Sequence, residues 1–348
     1  MYLKSDNAMI LNFDSIKSFL ELAGVPFSSN VDMKYKAYFM MGGICEIFIM
    51  PSTLTQLEKV LFFLEANNLK YKVIGNTSNL IFFDNGNYSI LISTLNLNGF
   101  KVTEQGIEAE TGALLPTLSR VALINGFSGF EGIEGIPATI GGALFMNASA
   151  YGCSISDKLT VVKVFDKKNQ KILILNNSEC RFNYRRSIFR EDDRYIVLSA
   201  QFSIEKGCKD AIANKMEVYH IARHSYQEFC YPNLGSMISV TGDYYAKIFK
   251  KNKVYYLLYI LFKISFRNPV VKFLRRKKPH SSELNFLLKK YLEKSVRTSV
   301  RGHISNKGAN ILVNNGSVST KDVLSYVELI HNEMSGSWHI ENEVVSEF

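Results

Sequence analysis

Between positions 129 and 142 the chain reads Gly-Phe-Glu-Gly-Ile-Glu-Gly-Ile-Pro-Ala-Thr-Ile-Gly-Gly. Glycine at 129, 132, 135, 141 and 142 removes side chains where a backbone must come close to something flat or bulky, and Pro137 fixes the turn between them. A second loop, Gly75-Asn76-Thr77-Ser78-Asn79, follows apolar Tyr71, Val73 and Ile74 and precedes Leu80, Ile81 and Phe82, which reads as strand, tight loop and return. A loop of this kind aims several backbone N–H groups at an anion, with Ser and Asn side chains as further donors, and phosphate is its natural guest. Either loop alone also reads as an ordinary turn or strand bend; two of them, about sixty residues apart, are harder to explain in that way. No G-x-G-x-x-G opens a helix, so the Rossmann mode of dinucleotide binding is not indicated.

Around these loops the pattern alternates strand and helix. Thr53 with Gln56 resembles a capping box, and Leu54, Leu57, Val60, Leu61 and Leu64 recur at helical spacing, predicting a helix over about 53–66. Strands are expected at about 89–95 and 106–111, and a helix over 115–125 ending at Gly126. The β-branched runs Val161, Val162, Val164 and Ile172, Leu173, Ile174 place further strands between 160 and 204. Ser319 to His331 is an amphipathic helix with Val323, Val327 and Ile330 on one face.

With 348 residues, 47% of them hydrophobic, the chain can bury two or three cores. Its five cysteines are scattered and never spaced C-x-x-C, which points to reduced thiols rather than a disulfide framework or zinc cage. The opening stretch mixes Lys4, Asp6 and Asp14 among apolar residues, arguing against a signal peptide, and no run reaches the roughly twenty apolar residues that span a bilayer. The formal charge of +9 is local in origin. From Lys247 to Arg301 sixteen Lys or Arg stand against two acids, a balance of +14, leaving the rest of the chain at −5.

The run from Gly132 through Ala143-Leu144-Phe145-Met146-Asn147-Ala148-Ser149-Ala150-Tyr151-Gly152 resembles the flavin-binding core of the UDP-N-acetylenolpyruvoylglucosamine reductase family. Other blocks match that family in order: Gly42-Gly43, placed before the first strand; Gly75-x-x-Ser78-Asn79; Glu179 to Ser187 with Tyr184-Arg185; Gln227 to Ser236 with Tyr231-Pro232-Asn233-Leu234-Gly235; and the closing Glu341-Asn342-Glu343-Val344. The likeness covers nearly the whole chain except about 240–300. It implies an α+β architecture: two subdomains, 1–98 and 99–205, of the PCMH (vanillyl-alcohol-oxidase-like) FAD-binding type, then an α+β substrate domain, 206–348, with a basic and apolar insertion at about 240–300.

The resemblance further implies an enzyme with FAD as cofactor and NADPH as reductant, acting in the cytoplasm on a UDP-sugar enolpyruvyl ether for peptidoglycan precursors. FAD contacts are implied for Gly75, Asn76, Thr77, Ser78, Asn79, Gly135, Ile136, Pro137, Thr139, Gly141, Gly142, Asn147, Tyr151 and Gly152, and substrate contacts for Tyr184, Asn233, Gly235 and His303. Arg185 aligns with the arginine that polarises the substrate carboxylate, which a guanidinium grips bidentately. Ser236 aligns with the proton donor and Glu343 with its acidic partner. Met40 stands where the family usually has arginine, and Thr77 where glycine is common. His303 and Gly308 take the places of glutamine and histidine before Ala309-Asn310, so a different sugar nucleotide, as in surface polysaccharide synthesis, is the first alternative. A catalytically silent, membrane-associated flavoprotein is the second.

In the insertion, Lys250-Lys-Asn-Lys-Val-Tyr-Tyr-Leu-Leu-Tyr-Ile-Leu-Phe262 and Arg275-Arg-Lys-Lys278 carry what an interfacial segment needs, and peripheral contact through 250–280 with the inner membrane surface is one expectation. An inserted helical pair packed on the third domain is the other. No recognised module frames the charge for nucleic acid. His220 and His224, four apart, read as a helix surface rather than a metal site for want of a third ligand, and Cys230 carries no sign of an activated thiolate.

Overall fold

The protein is described by a computed structural model over residues 13–240, 243–265, 268, 281–295, 302–308, 310–333 and 338–348. Lys4, Asp6, Arg267, Arg275 to Lys278 and Ala309 lie outside the described residues.

The first unit contains α1 (Phe13–Leu22), β1 (Phe27–Asp32), β2 (Ile44–Ile49), α2 (Leu54–Ala66), β3 (Lys72–Ile74), β4 (Leu80–Phe82) and β5 (Asn87–Ser93). Thr53 caps α2 by accepting the Gln56 N–H at 3.2 Å, but the Gln56 side chain reaches back to the N–H of Ser52, not to the cap residue itself. Leu57, Val60, Leu61 and Leu64 of α2 join Ile16 and Leu20 of α1 over Ile47, Ile49, Ile90 and Ile92. The sheet order is β1-β2-β5-β3, with β2, β5 and β3 parallel and β1 antiparallel at the edge. Phe48, Ile74 and Leu91 enter a second cluster, covering both faces as parallel strands require. Gly42-Gly43 therefore precedes the second strand and not the first. The strand missed, β1, holds exposed Ser28, Ser29 and Asn30 and shows no apolar alternation.

The second unit contains β6 (Phe100–Thr103), β7 (Gly106–Glu110), α3 (Leu115–Asn125), α4 (Ile140–Met146), the short pair β8 (Ser149–Ala150) and β9 (Cys153–Ser154), β10 (Leu159–Asp166), β11 (Lys171–Asn176), α5 (Ile188–Glu191) and β12 (Tyr195–Phe202). Five of its strands form one antiparallel sheet in the order β11-β10-β12-β7-β6, apart from the β8–β9 pair. One face packs Ile107, Ala109, Val162, Val164 and Phe202 against Leu115, Leu118, Ile140 and Leu144 of α3 and α4. Phe165 and Leu198 enter the α2 cluster instead, so the two units share a core rather than a hinge.

The third unit contains α6 (Lys209–Tyr226), β13 (Asn233–Ser236), β14 (Ile238–Val240), α7 (Tyr244–Phe249), α8 (Lys253–Ser265), α9 (Ser281–Ser295), β15 (Ile311–Val313), α10 (Thr320–Glu333), β16 (Trp338–Ile340) and β17 (Glu343–Val345). Tyr259 of α8 and Leu288, Tyr291 and Leu292 of α9 are buried with Phe249, Val323, Tyr326 and Ile330, so these inserted helices help to build the core of this unit. β17 leaves the unit and pairs in parallel with β4, in the register Glu343 with Leu80 and Val345 with Phe82. That excursion sets the end of the chain beside the Gly75–Asn79 loop.

Candidate active site

A cavity of about 1340 Å³ opens where the three units meet. It exceeds the roughly 300–1,000 Å³ typical of a small-ligand pocket, as a site for a dinucleotide together with a second ligand requires. Gly75 through Asn79 line it on one side, and Gly135, Ile136, Pro137, Thr139, Gly141 and Gly142 on another. Asn76 links the two by donating to the Pro137 carbonyl at 2.8 Å.

Two of these glycines are also required by the protein's own packing. A Cβ on Gly75 would stand 2.2 Å from Thr139 Oγ1, and one on Gly135 would stand 2.4 Å from Arg223 Nε. What these backbones approach is the protein itself: the two loops interlock, and α6 presses on the second of them. Arg223, buried, donates to the Gly132 carbonyl at 2.8 Å, and Glu134 receives Arg120 at 2.9 Å and His220 as well.

The two loops also differ as donors. The N–H groups of Ile136, Ala138, Ile140, Gly141 and Gly142 are all spent on protein oxygens. Those of Asn76, Thr77 and Ser78 have no acceptor among the described residues. Amides left over on a cavity wall form the kind of concavity that takes a pyrophosphate. Thr77, where glycine is common, holds φ 53°, a strained value for a β-branched residue, and its hydroxyl accepts the Tyr38 N–H at 2.7 Å.

Arg185, Ser236 and Glu343 all line this cavity, as do Tyr151, Asn233 and Gly235. Arg185 has φ 54°, its carbonyl accepts from Arg190 at 2.9 Å, and its guanidinium lies over the Tyr184 ring at 5.5 Å. Its Nε is 2.7 Å from Glu341 Oε1, an ion pair without hydrogen-bond alignment. Glu343 pairs with Lys72 of β3. Ser236 is exposed at the end of β13, opposite Ile311. Asn233 is occupied in folding its own loop, donating to the carbonyls of Glu228 at 3.1 Å and Tyr231 at 2.9 Å. Tyr151 stacks on Tyr219 with centroids 4.4 Å apart and shares a 2.8 Å hydroxyl contact with Tyr226; burial, then that contact, pushes its phenol up.

Four expected contact residues stand off the cavity wall. Asn147 caps the end of α4 and donates to the Asn183 carbonyl at 3.0 Å, bracing the Arg185 turn from behind. Gly152 lies in the turn beyond Tyr151, and Tyr184 turns outward beneath Arg185. His303 is buried in the third unit, 3.8 Å from the Asp322 carboxylate and away from the cavity wall. His224 stacks on Phe229 at 4.4 Å while His220 holds Glu134, so the two imidazoles of α6 are engaged separately. Lys72, Arg223 and Glu341 line the cavity without having been singled out in the sequence; among them only Glu341, in the closing motif, lay within a recognisable block.

A family profile described as "FAD binding domain" matches residues 45–176, across the units that bear the two glycine loops, and with the reductases that the chain resembles it makes this an FAD-dependent oxidoreductase. The chain is 36% identical over 217 residues to the UDP-N-acetylenolpyruvoylglucosamine reductase of Caldanaerobacter subterraneus subsp. tengcongensis, covering 62% of this chain and 71% of that one. The reductase of Clostridium novyi is 28% identical over 314 residues, 90% of this chain and 89% of that protein. This protein belongs to the UDP-N-acetylenolpyruvoylglucosamine reductase family. The fold agrees with the crystal structure of the Thermus caldophilus enzyme, with a TM-score of 0.65 at 24% identity over 92% of this chain and 98% of that one.

Proposed function

We propose that this enzyme reduces UDP-N-acetylglucosamine enolpyruvate to UDP-N-acetylmuramate for peptidoglycan synthesis, with NADPH as the reductant. Bound FAD supplies the hydride chemistry between NADPH and the enolpyruvyl group. The observation carrying this reading is that Arg185, Ser236 and Glu343, from three separate parts of the chain, line one cavity with the glycine loops. Arg185 is suited to hold the substrate carboxylate and to stabilise the negative charge that reduction places on it. Ser236 supplies the proton to the carbon beside that carboxylate, and Glu343 orients the serine and the intermediate. Asn76, Thr77 and Ser78, whose N–H groups face no protein acceptor among the described residues, would hold the FAD pyrophosphate.

The test is the reductase assay with the authentic enolpyruvyl sugar nucleotide, run on protein that is yellow and releases FAD on denaturation. Ser236→Ala should keep flavin reduction by NADPH and lose substrate turnover. Equal loss of both half-reactions would remove Ser236 from its role. A second reading, an enolpyruvyl or related sugar nucleotide of another pathway, is favoured by the burial of His303 against Asp322, and a substrate panel separates the two. The proposal extends to location: this chemistry is placed in the cytoplasm, against the inner membrane surface. No described helix is long and apolar enough to cross a membrane, and the +14 segment is the feature that favours a peripheral contact.

A further inference from the structure

We infer that the exposed face of α8 is the surface by which this enzyme rests on an anionic lipid bilayer; the inference builds on the membrane-surface location just proposed and names the face. α8 is apolar on two sides. Tyr259 is buried in the third unit's core, with Tyr255, Tyr256 and Ile260 packed beside it. On the opposite side Val254, Leu257, Leu258, Leu261 and Ile264 are 65%, 57%, 37%, 53% and 60% exposed. Their spacing of three, four, seven and ten positions from Val254 puts these aliphatic side chains on one continuous stripe. The outer face of α6, by comparison, mixes exposed Val218 and Ile221 with Asp210, Asn214 and Glu217, whereas the α8 stripe is aliphatic at all five positions.

Charge decides what covers the stripe. Lys250, Lys251 and Lys253 stand exposed at its start, within a segment whose balance is +14. A second copy of the chain, meeting through the same patch about a twofold axis, would bring like charge onto like charge. Nucleic acid would satisfy the lysines and leave the aliphatic stripe in water. An anionic bilayer answers both features at once: headgroup phosphates take the ammonium groups, and the acyl boundary takes Leu257, Leu261 and Ile264. Thirteen residues make a helix of about 20 Å, too short to span a core of about 30 Å but suited to lying in its plane. Lys263 is already held by Asp243 at 3.0 Å and by the Tyr259 hydroxyl at 2.9 Å, which fixes the helix on the third unit and keeps the stripe outward.

The experiment is co-sedimentation of the full, FAD-loaded chain with phosphatidylglycerol–phosphatidylcholine vesicles and with phosphatidylcholine vesicles alone, at low and high salt. The expected result is at least tenfold more bound protein on the anionic vesicles, reduced by salt. Leu257→Gln/Leu261→Gln/Ile264→Gln should cut binding about tenfold while flavin content and reductase activity in solution stay unchanged, and Lys250→Gln/Lys253→Gln should weaken the anionic preference. If the triple variant loses flavin, the single variants Leu257→Gln and Ile264→Gln are read in its place. Equal, weak sedimentation with both vesicles overturns the inference, as do apolar-face variants that bind like the parent. A soluble dimer that the triple variant dissociates would assign the face to a second copy instead. Vesicle binding without reductase activity would leave this inference standing and sink the proposed reaction, so the two fail separately.

Discussion

Glu341 Oε1 lies 2.7 Å from Nε of Arg185, and both side chains face the cavity. Two positions further on, Glu343, at the start of β17, pairs with Lys72 of β3 on the wall of the same cavity. Asn342, between them, is buried and donates to Asn79 Oδ1 at 2.9 Å and to the Leu234 carbonyl at 3.2 Å. Three consecutive residues thus tie together the Gly75–Asn79 loop, the Arg185 turn and the strand that bears Ser236. Glu341 and Glu343 each meet a cation from another unit, and each pair leads to a prediction.

Glu341 positions Arg185 by taking the Nε side of a guanidinium whose backbone is already strained. With Glu341→Gln the ion pair is lost, Arg185 is no longer held on that side, and kcat/KM for the enolpyruvyl substrate should fall roughly tenfold, as expected when a substrate-positioning group is displaced. Flavin reduction by NADPH should be unchanged. Steady-state and single half-reaction kinetics check it; an unaltered kcat/KM would show that Arg185 holds its place without Glu341.

Lys72 fixes the carboxylate of Glu343 on the cavity wall. Lys72→Met should lower kcat by about tenfold with little change in KM, because an uncompensated charge at a partly desolvated wall moves toward solvent. Lys72→Arg should retain most of the activity. A merely structural lysine would show no such rescue.

The Gly75 contact with Thr139 is too close for any Cβ. Gly75→Ala must separate the two loops, at a cost of ~1–3 kcal/mol for overpacking, and the separation shifts the Asn76–Ser78 amides. Lower flavin stoichiometry after purification and a reduced Tm are the expected readouts. Full flavin occupancy at the parent Tm would mean the loops are not interlocked.

Asp166, fully buried at the end of β10, is held by Arg194 through two bonds of 2.8 and 2.7 Å and by Asn169 at 2.8 Å. The Arg194 guanidinium keeps its carboxyl far below the usual carboxylate range. The folded-state value lies below the unfolded one, so the pair contributes stability above about pH 4 and loses it as pH falls further. Asp166→Asn should cost roughly 2–4 kcal/mol at neutral pH and flatten the acid limb of the stability curve. Denaturant melts at pH 7 and below pH 4 test both parts.

Much of the site was legible in the sequence because its signals are local. Thr53 and the apolar spacing of 57–64 specify α2 within one stretch of chain. The Gly75–Asn79 loop lies between two short apolar runs that remain visible without any partner. The closing Glu341-Asn342-Glu343 motif could be matched as a block, yet nothing nearby says which cations it meets. Lys72 and Arg185 reach these acids only after β17 has paired with β4, across most of the length of the chain.

By itself the sequence determined the helices with periodic faces, the two glycine loops and the presence of a cationic segment, since each depends on residues within a few turns of one another. Only the tertiary structure decided that the glycines make room for Thr139 and Arg223, that His303 is a core residue beside Asp322, and that α8 buries its tyrosines while showing its leucines to solvent. The physical reason is the same in each case: a side chain's role follows from which distant surface the packed chain sets against it, and that depends on closing long loops whose partners no local pattern announces.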